Sequence, residues 1–107
     1  MSLFISDGYT LSFTVKSRPT VPALTIKYRP ALPERLYQWR ADGQAAKDAK
    51  GKLANDIKLL TDQIVSWDAG VPIESGTLAK MWPWLIAELL DVVAGYTIEE
   101  QASAEKN

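Results

Sequence analysis

Residues 75–96 read SGTLAKMWPWLIAELLDVVAGY, and this stretch decides the fold because it is the longest apolar segment in the chain. Leu78, Trp82, Leu85, Leu89 and Val92 recur at spacings of four and three, which sets them on one stripe of a helix. Met81, Ile86, Leu90 and Val93 form an adjacent stripe, so the apolar arc is wider than one neighbour would cover. Two neighbours in the chain, or a partner chain, are implied. Pro83 lacks a backbone N–H and opens the main helix, leaving residues 76–81 as a short lead-in turn, and Gly95 supplies the stop. Residues 82–94 are too few for a membrane span and carry Glu88 and Asp91, so no membrane partner is expected.

Working back toward the N-terminus, residues 44–67 predict a second amphipathic helix. Ala46, Ala49, Leu53, Ile57, Leu60, Ile64 and Trp67 fall on its apolar stripe, and Gly51 weakens it near its start by roughly 1 kcal/mol relative to Ala. Gly70 and Pro72 break the connector that follows, with Ser75 as a cap for the final helices. Before it, Pro33 opens a helix whose face holds Leu32, Leu36 and Trp39, closed or interrupted at Asp42-Gly43.

Two strands precede the helices. In residues 9–16, Tyr9, Leu11, Phe13 and Val15 alternate strictly with polar residues. Residues 23–29 repeat the pattern with Leu24, Ile26 and Tyr28, and the loop between them contains Pro19 and Pro22. Such a hairpin is marginal alone and requires a helix on its apolar face. The expected fold is α+β: an N-terminal two-stranded antiparallel β-hairpin packed on a mostly helical part of three to four helices. The 107 residues form one domain in this reading, with the hairpin over 9–29, the helical part over 33–95 and a polar, Glu-rich tail over 97–107.

Composition narrows the chemistry. With 47% hydrophobic and 23% charged residues the chain is globular. It has no cysteine and no histidine, which removes disulfides, thiolate zinc sites and the Ser-His and Cys-His catalytic pairs. No cofactor and no metal is expected. The start, MSLFISDG, lacks the basic and apolar regions of a secretory signal, which predicts an intracellular product. Charge is divided: residues 1–52 hold nine bases and four acids, a net of +5, and residues 53–107 hold three bases and nine acids, a net of −6. Such halves fold on each other, associate head to tail with a second copy, or present the basic part to an acidic partner.

Among the candidate functional residues, Trp39, Trp67 and Trp82 sit on apolar stripes and read as core, whereas Trp84 leaves the stripe and is the better interface candidate. Lys16, Arg18, Lys27 and Arg29 beside Tyr28 read as solvated strand positions or protein contacts, and nucleic acid is not the expected partner. Asp62 with Asp68, and Glu88 with Asp91, read as surface charges rather than a catalytic carboxylate pair.

The phrases Ile26-Lys27-Tyr28-Arg29-Pro30, with Leu32 and Glu34-Arg35, and Leu60, Ile64, Val65, Ser66, Trp67, Asp68, then Val71-Pro72-Ile73 and spaced Leu78, Trp82 and Leu85, give the chain its family likeness. Together with the order of elements they resemble the small tail assembly chaperones of long-tailed bacteriophages and their prophage relatives. The resemblance covers about residues 9–95. It implies a non-enzymatic protein in the cytoplasm of a bacterial host cell that binds the tape-measure protein or tail-tube subunits during tail assembly; independently, the wide apolar arc and the divided charge predict a homo-oligomer that covers the same surface when no client is present. Met81, Trp84 and Leu85 are then the expected contact residues, with Tyr28 and Arg29 marking a second surface. The alternative reading is a small nucleic-acid-associated module that uses the basic hairpin; a carboxylate hydrolase is a third.

Overall fold

The computed structural model describes residue 5 and residues 8–95; the tail expected over 97–107 lies outside them. The α+β architecture is present, with one sheet and four helices among the described residues. Strands β1 (Leu11–Val15) and β2 (Leu24–Tyr28) form the expected antiparallel hairpin, pairing Phe13 with Ile26 and Leu11 with Tyr28. Strict alternation buries Leu11, Phe13, Val15, Leu24, Ile26 and Tyr28 on one face and leaves Ser12, Thr14, Thr25 and Lys27 on the other.

A third strand, β3 (Ile64–Trp67), pairs antiparallel with the other side of β2, giving the order β1-β2-β3. This corrects two expectations: the sheet is not two-stranded, and the helix expected over 44–67 ends at Gln63. The reason is a β-bulge. Ile26 pairs with Trp67, Lys27 with Ser66 and Tyr28 with Ile64, so Val65 is the extra residue. With one residue bulged out, Ile64 and Trp67 turn to the same side although they are three apart. A spacing of three is therefore common to a helical stripe and to a bulged strand, and the β-branched Ile64 and Val65 favour the strand.

Helix α1 (Pro33–Ala45) opens at Pro33 as expected but runs through Asp42-Gly43 instead of closing there. Helix α2 (Ala49–Gln63) starts at Asp48, whose carboxylate accepts from the Gly51 backbone N–H at 2.8 Å. Gly51 is thus part of a cap rather than a frayed start. A Cβ there would lie 3.2 Å from the Asp48 carboxylate and 3.3 Å from Ala46 Cβ. The short helix α3 (Ser75–Leu78) is preceded by Glu74 in the cap position, which displaces Ser75 from the capping role, and its lead-in turn reaches α4 (Pro83–Ala94). Gly95 ends α4 in the left-handed conformation, φ 85°.

One apolar cluster joins the buried sheet face to Ile57, Leu59 and Leu60 of α2, Leu78 of α3, and Leu85, Ile86, Leu89, Val92 and Val93 of α4. Helix α2 packs against α1, α3, α4 and β3, which is why Leu59, off the expected stripe, is fully buried. Two ties fix α4 relative to the sheet. Arg18, in the hairpin loop, lies over Trp84 near its start, and the Ala31 N–H just after β2 donates to Val93 O near its end. Helix α4 therefore runs alongside β2 in the same direction. No helix among the described residues is long and apolar enough to cross a membrane.

Candidate apolar groove between α2 and α4

Tyr28, Arg29, Trp67 and Asp68 have structural roles. Tyr28 is fully buried. Arg29 is exposed, and its backbone joins the two halves of the fold: its N–H donates to Gln63 O at 2.8 Å, and its carbonyl accepts from Gln63 Nε2 at 2.7 Å. The Trp67-Asp68 turn closes the β2–β3 ladder. Asp68 Oδ1 accepts from the Thr25 N–H at 2.9 Å, the Asp68 N–H donates to Thr25 O at 3.2 Å, and the Trp67 indole donates to Val71 O at 2.7 Å.

The expected contact residues do not form one surface. Leu85 is in the core, as its place on the main stripe requires, so it has little surface to offer a partner. Tyr28 is withdrawn for the same reason: it faces inward with Ile26. Trp84 is partly buried beneath the Arg18 guanidinium, 3.7 Å from the ring centroid. Of the five, Met81 lines an apolar depression between α2 and α4. Among the tryptophans, Trp39 and Trp67 pack against the core, but Trp82 does not: it is 53% exposed at the cap of α4. Pro83 starts the helix only after Trp82, so Trp82 lies outside the helical register that the stripe assumes.

The depression is a cleft of about 350 Å³ between the N-terminal half of α2 and the α3–α4 corner. Leu53 and Asp56 form one wall, Met81, Pro83, Ala87 and Leu90 the other, and Leu78 and Ile86 lie at its base as buried residues. Leu53 is 41% exposed although it sits on the apolar stripe of α2, because it faces this open cleft rather than a packed neighbour. Pro83, Ala87 and Leu90 follow one another at spacings of four and three, a seam that continues at Ala94. The small Ala87 at its centre lets another backbone approach closely. Sequence reasoning placed Leu53 and Leu90 on apolar stripes but had no signal that a cleft would lie between them.

The remaining charged and polar groups are engaged elsewhere or dispersed. A second cleft, of about 380 Å³, lies between α1 and α2 and includes Trp39, Asn55 and Asp56. Its polar groups hold the two helices together: Trp39 Nε1 donates to Asp56 Oδ1 at 2.9 Å, and Asn55 Nδ2 donates to Trp39 O at 2.8 Å. Asp62 pairs with Arg35 at 3.0 Å. Lys16, Lys27 and Arg29 are exposed, while Arg18 covers Trp84, so the basic hairpin presents fewer free cations than its sequence shows. Among the described residues no three acidic side chains gather in a way that could hold a metal ion. No family model, curated protein or solved structure matches the chain.

Proposed function

We propose that this protein is a non-enzymatic assembly chaperone of the long-tailed phage type, which binds an apolar helical segment of a tape-measure or tail-tube protein in the groove between α2 and α4. The observation that carries the reading is the apolar lining of that groove: the exposed Leu53, Pro83 and Ala87 and the partly buried Met81 and Leu90, with the half-exposed Trp82 beside Met81 and Pro83. An apolar groove bordered by helices takes a further amphipathic helix, whose i, i+3, i+4 and i+7 side chains fill the space between its walls. Exposed apolar surface gathered in this way marks a contact site. The resemblance of the chain to tail assembly chaperones supplies the class of client.

Co-expression with candidate tape-measure and tail-tube proteins tests this. Soluble client yield is expected to rise with the natural chain and to fall to the level without chaperone for Leu53→Asp and Ala87→Arg, which replace exposed wall residues. Circular dichroism should show both variants folded. Full client solubility with both folded variants rules out the groove as the binding site.

A further inference from the structure

The hairpin turn and α4 meet through a contact that lies outside the strand pairing, Arg18 over Trp84. Arg18 and Val21 close the turn with two backbone hydrogen bonds, Arg18 N–H to Val21 O at 2.8 Å and Val21 N–H to Arg18 O at 3.0 Å, around Pro19 and Thr20. Pro19 holds its φ near −65°, so the turn behaves as a stiff unit. The strands on either side are anchored by Val15 and Leu24, 3% and 6% exposed, but residues 16–20 are all exposed and Val21 is only half-buried. The Arg18 guanidinium, 3.7 Å from the Trp84 ring centroid, makes no ion pair among the described residues.

We propose that residues 18–21 form a strap, latched on α4 by Arg18 over Trp84, that opens independently of the core and sets how much of the Trp84 ring is exposed. A cation on an exposed aromatic face is held weakly, so the open form is a regular minority state and not a rare one. Trp84 and Ala87 are three residues apart on α4 and therefore neighbours on its surface. Opening the strap extends the apolar face at Ala87 by the indole. That last consequence rests on the helix-binding reading of the groove; the strap itself does not, and its test needs no client.

The test is amide hydrogen exchange on the folded full-length chain, read at Val21 in the turn and at Ile26 in β2. In the natural protein Val21 is expected to exchange at least about 10-fold faster than Ile26, through local opening. Arg18→Gln, which removes the cation, is expected to speed Val21 by about 2- to 5-fold and leave Ile26 unchanged, and Trp84→Leu, which removes a ring that also packs on the core, is expected to speed Val21 by about 2- to 5-fold more than it speeds Ile26. Val21 exchanging in step with Ile26 overturns the proposal, because the turn then opens only with the whole fold. So does an unchanged Val21 rate in both variants, because the latch then holds nothing.

Discussion

Trp39 and Asp56 show how a residue that reads as core can hold a polar duty. The indole packs against the apolar cluster while its N–H donates to the Asp56 carboxylate, and Asn55 returns a bond to the Trp39 carbonyl. Trp39→Phe keeps most of the apolar contact and removes the donor, so a loss of about 1 kcal/mol is expected in urea unfolding. An unchanged midpoint would mean that water replaces the indole N–H at no cost. The helical spacing of Leu36 and Trp39 was enough to turn Trp39 inward, but its partner lies 17 residues away on another helix, and no local pattern points to it. Trp82 is the opposite case. It shares the spacing of the buried stripe, yet Pro83 begins the helix one residue later, and the side chain is 53% exposed.

Among the elements, α2 depends most on its ends. Asp48 caps it through the Gly51 N–H, so Asp48→Ala is expected to cost about 1 kcal/mol. Gly51→Ala carries two opposed effects. Helix propensity favours alanine by about 1 kcal/mol, but its Cβ would press on the Asp48 carboxylate at 3.2 Å and on Ala46 Cβ at 3.3 Å. The expected result is no net gain in thermal melting; a full gain would show that the cap moves aside freely. At its other end α2 gives way to β3, where Ile64 and Trp67 keep their common face by means of the Val65 bulge. The periodicity of residues 57–67 fits both structures. Pairing with β2, which is remote in the chain, decides between them.

At the scale of the whole molecule, one cluster carries the stability, and the last helix contributes its largest share of residues. Leu89 is fully buried, and Leu89→Ala is expected to cost about 2–5 kcal/mol, a large part of the ~5–15 kcal/mol typical of a domain. Trp82→Ala removes a larger side chain that is 53% exposed, and a loss of about 1 kcal/mol, smaller than that of Leu89→Ala, is expected. Denaturant midpoints of the two variants check the contrast; equal losses would place Trp82 in the core after all.

Local pattern was sufficient for the strands β1 and β2, for the start of α1 at Pro33, and for α4 from Pro83 to Gly95. In each, alternation, proline or glycine acts within a few residues, and burial follows the same period. The excess width of the apolar arc on α4 was legible too, as a surface in need of cover. Which part of that arc stays open was not. Leu85 is covered, Trp84 is covered by Arg18, and Leu53, Ala87 and Leu90 border a groove left open between α2 and the α3–α4 corner. Periodicity states that a side chain faces something apolar, whereas the lengths and crossing of packed elements decide whether that something is already there.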